Sequence, residues 1–152
     1  MFRFTINTTN EYKRLREFFE NNGLEYDEED DFNSTEGVIK AWKITQGFKS
    51  NDDFLIGAVM LVNRKDNYVI EGIAVDKMMR KLGLGKIMIN KAIDEVKKLG
   101  GHEIILMARE PKFYYALGFK KVEPEDSPKI FNCQGCPQYL NTCNPEIMKI
   151  EF

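Results

Sequence analysis

Histidine and cysteine are scarce: this 152-residue chain has one and three. An odd cysteine count argues against a disulfide framework. No stretch approaches the ~18 apolar residues of a membrane span. Met1-Phe2-Arg3-Phe4-Thr5-Ile6-Asn7 lacks the apolar core of a signal peptide. A cytoplasmic location is therefore expected, where thiols stay reduced. Charge of one sign is also lacking: 22 basic residues face 24 acidic ones, a net charge of −2. The bulk electrostatics ask for neither nucleic acid nor an anionic membrane as partner. No linker, repeat or low-complexity tract interrupts the chain, so a single domain over 1–152 is expected.

What is present is an ordinary globular balance, 43% hydrophobic and 30% charged. Phe2, Phe4 and Ile6 alternate with polar neighbours, a short half-buried strand. Thr8-Thr9-Asn10-Glu11 has the spacing of a capping box. The helix it opens carries Tyr12, Leu15, Phe18 and Phe19 at helical spacing and stops near Asn21-Asn22-Gly23. Six acids crowd residues 25–31, either a solvated segment or a lip that attracts a cationic substrate. Residues 37–45, 54–63 and 67–76 are rich in Val, Ile, Phe and Trp and predict three strands. The last two are joined closely enough, by Arg64-Lys65-Asp66-Asn67, to form a hairpin. After Asp76 the period becomes helical, with Leu84, Ile87, Met88, Ala92, Val96 and Leu99 as an apolar stripe ending at Gly100-Gly101. Residues 103–107 are nearly all apolar, a strand buried on both faces. The unit from 67 to 107 is thus a strand–helix–strand crossover with parallel strands. A short helix and two further strands, 119–124 and 147–152, complete a mixed α/β sheet flanked by helices.

The most informative segment is Arg80-Lys81-Leu82-Gly83-Leu84-Gly85-Lys86, where a strand ending Ala74-Val75-Asp76 gives way to a helix. A helix start presents unpaired N–H groups and the positive end of the helix dipole, and a diphosphate suits such a turn. It is not a P-loop, because Ile follows Lys86 where Ser or Thr is needed. It is not a dinucleotide turn either, since the third glycine is absent. Arg80-x-x-Gly83-x-Gly85 resembles the coenzyme A loop of the GCN5-related N-acetyltransferase (GNAT) family. Phe113-Tyr114-Tyr115-Ala116-Leu117-Gly118-Phe119 is similar to that family's Phe-Tyr-x-x-Leu-Gly-Phe signature. The resemblance is firm over residues ~54–123 and looser before them. Arg109-Glu110-Pro111-Lys112 departs from the pattern: the connection is short, and the asparagine often found there is missing.

The resemblance implies a mixed, mostly antiparallel sheet whose parallel central strands splay apart. It implies acetyl-CoA as co-substrate, its pantetheine arm pairing with backbone groups of Ile73 and Val75. Its diphosphate would lie on the N–H groups of Arg80, Lys81, Leu82, Gly83, Leu84, Gly85 and Lys86. Thioester aminolysis then needs a neutral amine and a protonated leaving thiol. Tyr114 is the phenol the motif assigns to the thiol; the alternative is a core aromatic. Glu71, sharing a strand face with Ile73 and Val75, is the candidate base or else an ordinary strand residue. The acceptor would be a small-molecule or peptide amine, with a cationic one favoured, and the protein a monomer or homodimer. A non-catalytic coenzyme A-binding or metal/thiol-sensing module on the same fold is the alternative.

Cys133, Cys136 and Cys143 lie in a segment, 129–146, inserted between the last two strands. Cys-x-x-Cys is a good half-site for zinc and Cys143 a third thiolate, but a structural site needs a fourth ligand. His102 is more naturally a surface residue. Buried thiols and a redox pair stay open beside zinc.

Overall fold

A computed structural model of the chain describes residues 4–22, 36–46, 54–130 and 146–152. The acidic segment 25–31 and the three cysteines lie outside these residues. The elements follow the order β1 (Phe4–Thr8), α1 (Tyr12–Asn21), β2 (Val38–Gln46), β3 (Leu55–Arg64), β4 (Asn67–Val75), α2 (Leu84–Lys98), β5 (Glu103–Ala108), α3 (Pro111–Ala116), β6 (Lys120–Val122) and β7 (Glu146–Glu151). The strands form one seven-stranded sheet ordered β1-β2-β3-β4-β5-β7-β6. By its contacts the chain divides into two compact units, residues Met1–Val62 with Ile70–Ala92, and Asn63–Val69 with Ile93–Phe152.

In the first unit, β1 and β2 pair antiparallel from Phe4↔Gln46 to Thr8↔Trp42, and β2 pairs antiparallel with β3. Every residue of β3 from Ile56 to Val62 is buried, as its continuous apolar run demands of a central strand. Leu15 and Phe19 of α1 are fully buried. Phe19 sits where Gly72 of β4 has no side chain: a Cβ there would meet the ring at 2.4 Å. The helix therefore comes closer to the strand than any other residue at 72 would permit.

The capping box predicted at Thr8 does not form. Glu11 stands at the helix start without capping it. Its carboxylate accepts from Lys43 Nζ at 2.6 Å and Arg14 Nη1 at 2.9 Å, while its own N–H donates to Thr9 Oγ1 at 3.1 Å. A lysine on β2 thus outcompetes the local cap for the carboxylate. The stripe of α2 also shifts. Leu84, Met88, Ile89, Ala92 and Val96 are buried, whereas Ile87 and Leu99 are about half exposed.

In the second unit, Lys65 and Asp66 both have left-handed backbone, φ 50° and 66°. A two-residue hairpin of this kind matches the twist of its strands. Asn63 Oδ1 accepts from Asp66 N, and Asn67 Nδ2 donates to the carbonyls of Arg64 and Lys65. β5 pairs antiparallel with β7, from Glu103↔Glu151 to Ala108↔Glu146, and β6 pairs antiparallel with β7. Parallel β4 and β5 share a single register pair, Val69↔Ile105.

Candidate functional site

Along β4, burial alternates: Ile70, Gly72 and Ala74 are buried, while Glu71, Ile73 and Val75 are half-buried. Asp76 N donates to Ile56 O of β3 at 2.7 Å. Backbone groups alternate in direction along a strand, so those of Ala74 and Gly72 share the β3 side with Asp76. Those of Ile73 and Val75 face the opposite edge, the two residues that the sequence resemblance selects. The Val75 carbonyl is not vacant, because Arg80 Nε donates to it at 3.4 Å.

The chain then turns through a short 3-10 segment, Lys77–Met79, held by Asp76, whose side chain accepts from Met78 N at 2.9 Å. Lys81 and Gly83 follow with φ of 74° and 77°. Left-handed residues in a turn gather successive N–H groups into a concavity suited to anions. Space above Gly83 is open, with nothing within 4 Å of the position its Cβ would take. The first backbone donor after the turn is Ile87 N, which reaches Gly83 O at 3.2 Å. Among the described residues, the N–H groups of 80 to 86 have no backbone acceptor. Lys77, Arg80, Lys81 and Lys86 lie within or next to this run in the sequence, with Asp76 as the single acid between 76 and 86. Seven amides, the start of a 15-residue helix and four cations make a strongly anion-attracting surface.

Glu71 lies on the same half-exposed face of β4 as Ile73 and Val75, and its carboxylate stands 3.9 Å from the buried Arg16 guanidinium of α1. That arginine was missed in the sequence because charge suggests an exposed position. Its spacing from Tyr12 and Phe19 nonetheless places it inside the apolar stripe.

Tyr114 belongs to the other unit. Pro111 opens α3, where the missing N–H costs nothing. Tyr114 is buried and packs edge-on against Phe113 and Phe119, with ring centroids 5.0 and 5.4 Å away. Burial, with Glu110 nearby, pushes its phenol well above the usual tyrosine range. Tyr115 differs: it is 46% exposed, and its hydroxyl donates to Glu146 at 2.7 Å. Of the two tyrosines, only Tyr114 is a neutral phenol in an apolar setting. The proposed zinc ligands Cys133, Cys136 and Cys143 are not among the described residues. Within those residues, no group of three or more His, Cys, Asp or Glu could hold a metal ion. None of the described helices is long and apolar enough to cross a membrane.

The chain is similar to known proteins at several levels. An uncharacterized N-acetyltransferase of Chlorobaculum tepidum is 30% identical over 73 residues, 47% of this chain and 47% of that protein. The match therefore spans about half the length of that curated relative. A GNAT-family acetyltransferase from Staphylococcus aureus superimposes with a TM-score of 0.73 at 22% identity, covering 98% of this chain and 99% of that one. A PaiA N-acetyltransferase from Thermoplasma acidophilum, solved in complex with coenzyme A, gives 0.60 at 15% identity, with 99% of both chains covered. These structural likenesses establish the fold. The model of the acetyltransferase (GNAT) family matches residues 8–119, from the end of β1 through the Phe-Tyr signature, and the chain belongs to that family.

Proposed function

We propose that this protein is an acetyl-CoA-dependent N-acetyltransferase that transfers an acetyl group to a primary amine by direct attack on the thioester. The observation that carries the reading is the run of seven amides without backbone acceptors, 80–86, at the start of α2. On this reading the diphosphate rests on those amides, and the pantetheine arm pairs with backbone groups of Ile73 and Val75. The amine nitrogen attacks the acetyl carbon, the new C–N bond forms and the C–S bond breaks. Glu71 accepts the proton that the amine loses, directly or through water.

Tyr114 serves the leaving thiol. A coenzyme thiol has a pKa near that of free cysteine, about 8.5, below that of a phenol. A buried tyrosine whose pKa is raised gives up its proton reluctantly and so stays a neutral hydrogen-bond donor through the neutral and mildly alkaline range. Its main contribution is then a hydrogen bond to sulfur as charge develops there.

Calorimetry with coenzyme A on demonstrably folded protein tests the binding half; an absence of heat removes the proposal. Thiol release over a panel of amino acids, polyamines and peptide N-termini tests the transfer half. In Tyr114→Phe we expect kcat to fall about 10²-fold, as for other lost donors to developing charge, with coenzyme affinity unchanged. A parental rate would strip Tyr114 of the role. Binding without transfer to any amine would favour a non-catalytic coenzyme-binding module.

A further inference from the structure

Arg16 is the one charged residue buried among the described residues, 4% exposed. A buried guanidinium is costly unless a carboxylate and hydrogen bonds compensate it. The neighbouring positions 13, 17 and 20 of α1 are exposed and would hold a cation at no such cost. The burial thus calls for compensation, and Glu71 is one of the groups that supply it. Glu71 Oε2 lies 3.9 Å from Arg16 Nη2, and its side chain keeps 29% exposure against 5% for the arginine. One partner is fixed in the interior while the other reaches outward.

The arginine is also rigidly mounted. Leu15 and Phe19, flanking it on α1, are fully buried, and the Phe19 ring fills the space left by Gly72, the residue after Glu71. The helix bearing the cation and the strand bearing the carboxylate are therefore locked together beside the pair. The 3.9 Å ion pair draws the carboxylate toward α1 on the face it shares with Ile73 and Val75.

We propose that Arg16 is a positioning residue for Glu71: it orients the carboxylate toward the acceptor amine and acts on the amine-dependent step rather than on coenzyme binding. This rests on the transferase reading above. The test compares Arg16→Met, Arg16→Lys, Glu71→Gln and the double variant Arg16→Met/Glu71→Gln. Each is measured for melting temperature, for coenzyme A affinity, and for kcat and KM with the fastest amine of the panel.

Arg16→Met should lower kcat/KM for the amine at least about tenfold, mostly through kcat, while coenzyme affinity stays within about twofold. Arg16→Lys should recover part of the loss. The double variant should be no slower than Glu71→Gln alone, as expected of two groups acting as one unit. Losses that multiply, a coenzyme affinity that falls in step, or a parental rate in Arg16→Met would each overturn the proposal. Should Arg16→Met fail to fold with its partner carboxylate stranded, the double variant strands neither charge. Its comparison with Glu71→Gln then decides. A parent that binds coenzyme A yet acetylates no amine overturns this inference and the transferase reading together. An active parent indifferent to Arg16 overturns this inference alone.

Discussion

At the residue scale, two glycines, at 72 and 83, are required for opposite reasons. Gly83 has φ 77° with open space around it, so alanine there meets no neighbour but must hold a left-handed backbone. Gly83→Ala should cost about 1 kcal/mol, measured by denaturant unfolding with an unchanged slope. Gly72 carries no such positive φ and is instead crowded, its would-be Cβ 2.4 to 2.9 Å from three atoms of the Phe19 ring. Gly72→Ala should cost about 1–3 kcal/mol through overpacking. Shortening the ring should recover part of this, so Phe19→Leu in the Gly72→Ala background should unfold later than Gly72→Ala alone. Sequence spacing brought Gly83 to notice because it belongs to a motif. Gly72 gave no such signal, since its partner lies 53 residues earlier and the close approach exists only in the folded chain.

At the scale of elements, α1 is tied to β2 through Glu11 and Lys43. Lys43, then Arg14, holds the Glu11 carboxyl well below the usual carboxylate range, at about 2. A depressed folded-state pKa adds stability that is present above the unfolded value of 4.5 and lost as pH falls through 2. The side chain is 38% exposed, so solvent screening reduces the contribution to about 1 kcal/mol or less. Glu11→Gln should therefore be less stable than the parent at pH 7, and the gap should close between about pH 5 and pH 2 in paired urea titrations. A gap that stays constant with pH would rule out the ionised pair as its source.

The same element shows why some features were legible and others were not. The hairpin at Lys65-Asp66, the alternation of β4 and the start of α2 all follow from local chemistry, and the observed bounds agree within a residue or two. The capping box fails because Glu11 has a better partner 32 positions away. Helical spacing puts Ile87 and Leu99 in the buried stripe, yet both stay about half exposed, and Ile89, one position round the helix from Met88, is buried instead. Arg16 was overlooked for the converse reason, a charged residue on an apolar arc.

Across the whole molecule, net charge is nearly balanced, yet four cations gather between residues 77 and 86. Coenzyme A should thus stabilise the protein by mass action. At a hundredfold excess over Kd the gain is about 2.7 kcal/mol, and the melting temperature should rise by roughly 5–10 °C for a chain of this size. Added salt should reduce the rise, because exposed charges are screened over about 10 Å at 0.1 M. A shift unaffected by salt would count against the cationic turn as the binding surface. One domain over 1–152 remains our proposal for the organisation, supported by a family match that runs through residues 8–119 without a break.

The contact between Arg80 and the Val75 carbonyl has an energetic corollary. If an amide of the coenzyme's arm takes that oxygen, it evicts a donor already seated there. Such a swap leaves the tally of hydrogen bonds level and yields little net free energy at this point. Tightness must then originate at the diphosphate end, where the displaced guanidinium is freed to join the grip, and the arm contributes alignment more than hold.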